Sequence, residues 1–229
     1  MSRAGTGVWA VVVAAGRGER FRGDRPKAFA NLAGRPLLAE SLERLDASPW
    51  IEALVVVAPV GWEEPAILLA EELGAGSVRA VVPGGATRSD SVRTGLAEVP
   101  DEAAVVLVHD AARPLVPEEV VERVVAGLGD GWDGAVPALP LADTVKRAEG
   151  ETVTATVERE GLYGAQTPQA FAADVLRRAV ARGDDATDCA GLVEAAGGRV
   201  RLVEGDRRLL KVTTPADLAV VEALLRAAG

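Results

Sequence analysis

A loop rich in glycine and in cationic side chains follows the first apolar run of this 229-residue chain. The loop spans residues 14–29 and reads AAGRGERFRGDRPKAF. Gly16 and Gly18 lack a Cβ atom and allow the backbone to approach a ligand closely. The cationic residues of the loop are Arg17, Arg20, Arg22, Arg25 and Lys27. At the carboxyl end of a buried strand, such a loop is suited to bind a phosphate-bearing ligand.

Two familiar phosphate-binding fingerprints do not fit this loop. The dinucleotide fingerprint G-x-G-x-x-G fails because Phe21 occupies the third glycine position. The P-loop fails because Asp24 follows Gly23, where that motif requires lysine. A solvated basic loop in an arginine-rich chain is the alternative to a phosphate site.

The scarcity of lysine favours a phosphate site. Of 25 basic residues only Lys27, Lys146 and Lys211 are lysines, and the other 22 are arginines. Lys27 follows Pro26, whose ring fixes φ. A compact ammonium and a planar guanidinium are not interchangeable, so each remaining lysine is a candidate functional residue.

Composition excludes several classes of function. The net charge is −9, which argues against a nucleic-acid partner, because neutralising phosphates requires a basic face. The single cysteine, Cys189, and the single histidine, His109, exclude an intrachain disulfide and a zinc site of the Cys/His type. No run reaches the roughly 18 apolar residues of a membrane span, so we expect no membrane partner.

The N-terminus has two interpretations. Arg3 followed by the apolar run 8–15 has the outline of a short signal peptide. A buried first strand fits better, because the run leads directly into the glycine-rich loop instead of a cleavage site. We therefore expect a cytoplasmic protein.

Apolar runs of strand length alternate with segments of helical period. We expect strands at 8–15, 53–59, 78–82 and 104–110, and helices at 36–47, 63–73, 88–98 and 117–128. Further along we expect helices near 173–182 and 188–196, strands at 199–203 and 209–212, and a helix at 215–227. Valine on both faces of the strands predicts a mostly parallel sheet covered by helices on both sides, in one domain over residues 1–229.

One segment departs from this alternation. Residues 143–147 and 152–159 flank a Glu-Gly turn, and the second half alternates Thr and Val or Ala with period two. This pattern predicts a β-hairpin. An isolated hairpin is marginally stable, so we expect this arm to lean on another surface, such as a second copy of the chain.

The loop resembles the signature of nucleotidyltransferases that join a nucleotide to a sugar or polyol phosphate. Later segments are similar to the family of 2-C-methyl-D-erythritol 4-phosphate cytidylyltransferases in order and spacing. They are PGGATRSDSV (83–92), VHDAARP (108–114), DTVKR (143–147), QTPQAF (166–171), ATD (186–188) and EGDRRLLKVTTPADL (204–218). The resemblance covers nearly the whole chain. It implies a three-layer α/β sandwich like that of nucleotide-diphospho-sugar transferases, with a Rossmann-like sheet and a projecting hairpin arm.

The resemblance implies that the chain transfers CMP from CTP to 2-C-methyl-D-erythritol 4-phosphate and releases pyrophosphate, in the non-mevalonate route to isoprenoids. A phosphate monoester is already largely ionised at neutral pH, so no general base is required. The resemblance assigns Arg20 and Lys27 to the triphosphate. It also implies Mg²⁺, held mainly by the CTP phosphates and not by ligands of the protein.

The implied nucleotide site joins three segments. Backbone groups of Ala14, Ala15 and Gly16 line the nucleotide, Gly85 and the Ser91 hydroxyl read cytosine, and Asp110 and Ala111 touch the ribose. Relatives often have an acidic residue where this chain has Ala86, so we expect backbone readout there. Arg88 is also placed in this site; because it opens a predicted helix, where a cation is disfavoured by the helix dipole, we expect it to have an anionic partner.

The implied site for the second substrate contains Asp110, Arg113, Thr144, Arg159, Thr167, Thr187 and Lys211. Arg159 and Lys211 are assigned to catalysis together with Arg20 and Lys27. The arm, about residues 141–162, is implied to cross to a partner subunit, so that Thr144 and Arg159 of one chain complete the site of the other. His109 and Cys189 are interpreted as structural.

Two alternatives stay open from the sequence. Ribitol 5-phosphate cytidylyltransferases share much of the same pattern. A nucleotide-binding regulator without catalytic activity could use the same fold, but such a protein would be free to lose Arg20 and Lys27, which this chain retains.

Overall fold

The computed structural model of the chain describes residues 7–16, Phe21 and residues 25–228. The strands in chain order are β1 (Val8–Val13), β2 (Asn31–Leu32), β3 (Arg35–Pro36), β4 (Ala53–Ala58), β5 (Val78–Pro83), β6 (Val105–Asp110), β7 (Gly134–Pro140), β8 (Val145–Glu149), β9 (Thr152–Val157), β10 (Tyr163–Ala165), β11 (Gln169–Ala172) and β12 (Val200–Glu204). The helices are α1 (Leu37–Ala47), α2 (Glu63–Glu72), α3 (Arg88–Ala97), α4 (Glu118–Ala126), α5 (Ala173–Ala181), α6 (Cys189–Ala195) and α7 (Pro215–Ala228). Short 3₁₀ turns cover Lys27–Phe29 and Arg207–Leu209.

The central sheet has the strand order β10-β7-β11-β6-β1-β4-β5, and β12 pairs with β7. β1 runs parallel to both β4 and β6, and β4 runs parallel to β5. β11 is antiparallel to β6 and to β7. The sheet is thus mostly parallel, as the valine-rich runs predict, with antiparallel strands inserted on one side.

Helices cover the sheet on both faces, because the strand residues alternate between two cores. On β1, Ala10 and Val12 belong to a core formed with α1, α2 and α4. Val11, between them, belongs to the other core, formed with α3, α5 and α6. A methyl group added at Gly95 of α3 would lie 2.5 Å from Val11 Cγ1, so that helix packs directly on the sheet. These layers confirm the predicted α/β sandwich.

The carboxyl ends of β1, β4, β5 and β6 meet at one edge of the sheet. The chain continues from β1 to β4 on one side of β1, whereas β6 lies on the other side. The loops after β1 and β6 therefore diverge, and ligands of open α/β sheets bind at such a switch point. The fold places Asp110 and the described ends of the glycine-rich loop, residues 14–16 and 25–28, at this position.

A third, smaller core lies beside this edge. It contains Leu32, Leu37, Leu115, Val212 and Val221, with Phe21 packed against it. α7 contributes Val221, and the segment before α7 contributes Val212. This core fixes the segment that carries Lys211.

The predicted hairpin is present as β8 and β9, which pair with each other in a separate two-stranded sheet. Its turn places Gly150 at φ +57°, a conformation that favours glycine. Most of its side chains are exposed, and Lys146 Nζ donates to Thr156 Oγ1 across the two strands. The arm thus stands apart from the main sheet.

One sequence-based expectation about secondary structure is wrong, and three strands of the central sheet are missed. Residues 209–212 do not form a strand: Asp206 accepts from the Arg208 N–H and caps a 3₁₀ turn, and irregular backbone follows. Leu209 and Val212 are apolar because they pack in different cores. The apolar pattern also does not predict the strands β7, β10 and β11; β7 contains a glycine at its start and two prolines, which obscure a strand pattern.

Among the described residues, no helix is long and apolar enough to cross a membrane.

Candidate active site

A cleft of about 840 Å³ opens at the carboxyl edge of the sheet. It is lined by the loops that follow β1, β4, β5 and β6, and by Lys211. Its described lining includes four cationic side chains, from Arg25, Lys27, Arg88 and Lys211, and the carboxylate of Asp110. The cleft is therefore locally cationic in a chain of net charge −9.

Two loops on one side of the cleft approach each other through glycine. A Cβ at Gly84 would lie 2.1 Å from Ala15 Cβ, and one at Gly85 would lie 2.3 Å from Asp90 Cβ. Both distances are too short for any side chain, so only glycine fits. The Ser91 hydroxyl accepts from Gly85 N–H at 3.1 Å and donates to the Thr87 carbonyl at 3.0 Å. Ser91 thus fixes the backbone that faces the cleft.

The segment 211–212 lies between the two loops that carry Lys27 and Asp110 and contacts both of these residues. Lys27 Nζ donates to the Val212 carbonyl at 2.9 Å, and Lys211 Nζ donates to Asp110 Oδ2 at 2.7 Å. Val212 is buried, and its N–H donates to the Ala112 carbonyl at 2.8 Å. Residues 211–212 therefore connect the loop after β1 with the end of β6.

The start of α7 holds this segment in place. Asp217 accepts from the N–H groups of Thr213 and Thr214 at 2.8 Å each and from the Thr213 hydroxyl at 2.7 Å. These hydrogen bonds, first of all that from the Thr213 hydroxyl, lower the pKa of Asp217 to about 2. The residues after Lys211 are thus tied to the helix by three hydrogen bonds.

Asp110, the last residue of β6, is the centre of the site. Arg88 donates to its Oδ1 from Nε at 3.1 Å and from Nη2 at 2.9 Å, and Lys211 occupies Oδ2. Burial alone would raise the pKa of Asp110, but the charges of Arg88 and Lys211 outweigh burial and hold the pKa well below its usual range. The carboxylate is therefore ionised at any pH at which the protein would work.

His109 lies behind Asp110 and is fully buried. Its Nε2 lies 3.1 Å from the Arg113 carbonyl, which can only accept, so Nε2 carries the proton. Nδ1 then accepts from the Thr167 hydroxyl at 3.2 Å, and the same hydroxyl oxygen accepts from the Asp110 N–H at 3.0 Å. Burial lowers the pKa of His109 to about 4. A neutral imidazole thus holds both ends of the turn 109–113.

Arg113 connects this turn to two other segments. Its Nη1 donates to the Leu209 carbonyl at 2.5 Å and its Nη2 to the Ala165 carbonyl at 3.3 Å. The side chain, predicted to contact the second substrate, thus binds backbone oxygens at the rim of the site. Burial lowers the pKa of its guanidinium.

The N-terminus of α6 packs against the same group of residues. Asp188 caps the helix by accepting from Gly191 N–H at 3.0 Å, and its other oxygen accepts from Gln169 Nε2 at 2.8 Å. Cys189 is buried, with Sγ 3.5 Å from Arg88 Nη1. Burial raises the pKa of the Cys189 thiol to about 11, so the thiol is neutral.

The structure brings most of the predicted site residues together. The described lining of the cleft includes the predicted residues Ala14, Ala15, Gly16, Lys27, Gly85, Arg88, Ser91, Asp110, Ala111 and Lys211. Thr167 and Arg113 lie directly behind this edge, and the exposed Thr187 precedes α6. Arg20 lies outside the described residues.

Of the predicted residues that do not line the described part of the cleft, two lie on the arm. Thr144 and Arg159 are exposed on the arm, and Arg159 Nη1 donates to the carbonyl of Ala142 in the same arm. This placement differs from that of the other candidate residues.

Sequence reasoning missed several contributors to the site. Val60 lines the cleft and is 75% exposed, which is unusual for a large apolar side chain. The contact of Cys189 with Arg88 and the hydrogen bonds of His109 were also missed. One signal was available: the chain has a single histidine and a single cysteine, and both fall next to site motifs.

Comparisons with known proteins agree with this geometry. The sequence model of the 2-C-methyl-D-erythritol 4-phosphate cytidylyltransferase family matches residues 8–227. The chain is 50% identical over 224 residues to the protein of that name from Saccharopolyspora erythraea, covering 95% of this chain and 99% of the relative. It is 48% identical over 220 residues to that of Frankia casuarinae, covering 95% and 81%. The crystal structure of the Thermus thermophilus enzyme matches with a TM-score of 0.78 and 38% identity over 94% of this chain and 98% of that one.

His109 makes the stability of the fold pH-dependent. An unfolded histidine binds a proton near pH 6.5, whereas burial lowers the pKa in the fold to about 4. Between these values the unfolded state binds more protons, so stability falls as the pH falls, by up to about 1.4 kcal/mol per pH unit. We expect the free energy of unfolding of wild type, relative to His109→Gln, to decrease by about 2–3 kcal/mol from pH 7 to pH 4.

Urea unfolding of both proteins at a series of pH values measures this difference. Carboxylates that titrate in the same range are present in both proteins, so their contributions to the free energy of unfolding cancel in the difference. A difference that stays constant from pH 7 to pH 4 would show that His109 titrates normally in the fold.

Proposed function

The chain belongs to the 2-C-methyl-D-erythritol 4-phosphate cytidylyltransferase family, and we propose that the cleft at the carboxyl edge of its sheet transfers CMP from CTP to 2-C-methyl-D-erythritol 4-phosphate. Membership in the family makes the chain a nucleotidyltransferase of isoprenoid biosynthesis, as its motifs predict. The match favours this substrate over ribitol 5-phosphate, and an enzyme over a regulator without activity. The observation that carries the proposal is the pair of lysines, Lys27 and Lys211, on adjoining sides of one cationic cleft.

The chemistry requires positioning and charge more than proton transfer. A non-bridging oxygen of the substrate phosphate attacks the α-phosphorus of CTP and forms a new P–O bond. The bond from the α-phosphorus to the bridging oxygen breaks, and pyrophosphate leaves with the electron pair. The attacking phosphate is already ionised, so the reaction needs no general base. This fits a site in which His109 and the Cys189 thiol are buried and neutral.

The main barrier is the approach of one anion to another. We assign Lys27, together with Arg20, to the triphosphate, where a cation stabilises the charge that develops on the leaving group. Lys211 is assigned to the incoming phosphate. Both ammonium groups already bind protein oxygens in the cleft, and phosphate oxygens are acceptors of the same kind.

The nucleotide is proposed to lie against the loops that follow β1 and β5, which approach each other at Gly84. Ala14, Ala15 and Gly16 offer backbone groups, and Gly85 with Ser91 lies where the base would be read. At position 86 this chain has alanine, so recognition there is assigned to the backbone. Asp110 and Ala111 lie at the end of β6, next to the position assigned to the ribose.

Mg²⁺ is proposed to enter with CTP as part of the substrate. The described residues contain no group of three or more His, Cys, Asp or Glu side chains that could hold a metal. Both oxygens of the Asp110 carboxylate already bind cationic side chains. A metal that takes its ligands mainly from the phosphates fits this donor set, because Mg²⁺ is commonly bound through substrate phosphates and water.

The second substrate is proposed to lie between the cleft and the arm of a partner subunit. Asp110, Arg113, Thr167, Thr187 and Lys211 are assigned to this site from their own chain. Thr144 and Arg159 are assigned to it from the partner, as the resemblance implies, because they are exposed on an arm that stands apart from the main sheet.

A homodimer through the arm, about residues 141–162, is supported by the exposure of apolar side chains there. Leu141, Val153 and Leu162 are between 37% and 58% exposed, and so is Tyr163, which adjoins the arm. A free two-stranded hairpin of this length is marginally stable, so a partner surface would stabilise it.

We further propose a single catalytic domain over residues 1–229 and a cytoplasmic location.

Pyrophosphate release tests the activity and the substrate together. We expect turnover with CTP, Mg²⁺ and 2-C-methyl-D-erythritol 4-phosphate, and at least about tenfold lower kcat/KM with ribitol 5-phosphate, because the two polyols differ in length and branching. A reversed preference would support the ribitol phosphate alternative. CTP binding without turnover on either polyol phosphate would leave the regulator alternative.

Lys27→Ala tests the charge on the leaving group. We expect kcat to fall by about 10²–10³ with a much smaller change in CTP affinity, because the ammonium acts on charge present in the transition state. Lys27→Arg is expected to restore only part of the rate. Arg178→Ala is the control, since it removes one positive charge from an exposed ion pair with Asp174 outside the cleft. Equal losses in kcat and in CTP affinity would reduce Lys27 to a binding residue.

Arg159→Ala tests the shared site. We expect a higher KM for the polyol phosphate with little change for CTP. A mixture of Arg159→Ala and Lys27→Ala chains gives a sharper result, because a mixed dimer rebuilds one intact site from the Lys27 of one chain and the Arg159 of the other. Random pairing of equal amounts would restore about a quarter of wild-type activity.

Two outcomes would contradict this arrangement. Activity of the mixture no higher than that of the separate variants would place Arg159 in the site of its own chain. A monomer by light scattering at assay concentration would exclude a shared site.

A further inference from the structure

Arg88 occupies a position that a cation should avoid. It is the first residue of α3, where the helix dipole is positive and disfavours a positive charge. Its side chain is only 20% exposed, and burial adds a desolvation cost. An arginine at such a position requires a strong compensating interaction.

The donors of the guanidinium are bound to protein atoms. Nε and Nη2 both donate to Asp110 Oδ1, at 3.1 and 2.9 Å, and Nη1 lies 3.5 Å from the Sγ of Cys189. All three nitrogens of the guanidinium therefore have protein partners. This geometry does not fit a residue whose main task is to bind a nucleotide.

The other Asp110 oxygen shows what this arrangement achieves. Oδ2 accepts from Lys211 Nζ at 2.7 Å. Each oxygen of the carboxylate thus binds a different cation. Because Arg88 fixes Oδ1 by two hydrogen bonds, the rotation of the carboxylate is fixed as well. The position of Oδ2, and with it that of the lysine, follows from Arg88.

We propose that Arg88 is a positioning residue, which acts through Asp110 to set the place of Lys211 in the site of the second substrate. The proposal rests on the proposed function of this cleft. It departs from the sequence-based assignment of Arg88 to the nucleotide. It gives a role to Cys189 too: the buried thiol is a neutral neighbour that fills the space behind the guanidinium.

A lysine could not take this role. Two N–H groups pointing at one oxygen, with a third nitrogen against a sulfur, require the planar fork of arginine. An ammonium at the end of a flexible chain would keep the charge but would not fix the orientation of the carboxylate. The choice of Arg88 and of Lys211 thus follows from different requirements.

A double-mutant cycle distinguishes action through Asp110 from direct contact with the nucleotide. The variants are Arg88→Met, Asp110→Asn and both together, assayed for kcat and for KM of each substrate. We expect Arg88→Met to lower kcat/KM for the polyol phosphate by about 10–100-fold and to change directly measured CTP affinity less than about threefold. In the Asp110→Asn background, Arg88→Met should cost less than about threefold further. Multiplicative losses, or a loss confined to CTP, would overturn the proposal.

Arg177→Met is the matched control. Arg177 is similarly buried, at 26% exposure, and it also joins two segments by an ion pair, with Asp101, and by hydrogen bonds to two carbonyls. It lies outside the described lining of the cleft. We expect this variant to unfold at a lower temperature and to keep both KM values. A KM change equal to that of Arg88→Met would mean that the effect is general destabilisation.

A second measurement does not depend on activity. The charged groups facing Asp110 are Arg88 from α3, Arg113 from the turn after β6 and Lys211 from the segment before α7, with neutral His109 and Cys189 beside them. Carboxyl carbon NMR of labelled aspartate, with Asp110→Asn to assign the signal, should show no titration of Asp110 above pH 4 in wild type. In Arg88→Met the titration should move up into that range. An unchanged Asp110 signal would overturn the proposal even if wild type had no activity with these substrates.

Arg88→Lys completes the test if Arg88→Met does not fold. It keeps the positive charge, so the fold loses less, but it cannot make two hydrogen bonds to one oxygen and contact Cys189 as well. We expect a kcat/KM for the polyol phosphate between those of wild type and Arg88→Met, lowered through a higher KM for that substrate. Wild-type values of both KM and kcat in this variant would show that a charge alone suffices.

Discussion

The carboxylate of Asp110 carries the electrostatics of this site, because it lies at the end of a central strand and binds two cations at once. An ionised aspartate in a buried position is costly unless it is paired and hydrogen-bonded. Here Arg88 and Lys211 supply the charge, and the hydroxyl of Thr167 fixes the backbone N–H of Asp110 itself. Each cation is in turn stabilised where it would otherwise be disfavoured, Arg88 at a helix N-terminus and Lys211 in a partly buried segment. Removing Asp110 would leave both cations without their shared partner, whereas removing one cation would leave Asp110 paired with the other.

The groups around this network are neutral, and their neutrality matters for binding. His109 and Cys189 are buried within hydrogen-bond or contact distance of the charged residues. Burial shifts the pKa of each in the direction that keeps it uncharged near neutral pH, downward for the imidazole and upward for the thiol. Neither group is therefore an anion that could compete for Lys27 and Lys211, the cations assigned to the two proposed anionic substrates. The excess of negative charge over the whole chain conceals this local arrangement.

Much of the fold can be predicted from the sequence for a simple reason. Strands such as β1 and β4 are buried on both faces, and a continuous valine run between helical segments is typical of a strand in a covered parallel sheet. The scarcity of lysine singles out three candidates, of which Lys27 and Lys211 line the cleft and Lys146 lies on the arm. The segment 209–212 misleads because its apolar residues pack into different cores and not into a sheet. The partner of Arg88 can be expected only as some anion, since the contact with Asp110 joins residues 22 positions apart.

On the proposed function, the segment 211–212 lies where the two anionic substrates would meet. Lys27 binds the carbonyl of Val212, and Lys211 binds the carboxylate of Asp110. A phosphate that reaches Lys211 exchanges one anionic partner of the lysine for another, and Asp110 then depends on Arg88 alone for compensation. Since Arg88 binds the other carboxylate oxygen by two hydrogen bonds, the exchange does not leave a buried charge unpaired. On the proposed function, Lys211 can therefore bind the substrate because Arg88 remains bound to Asp110.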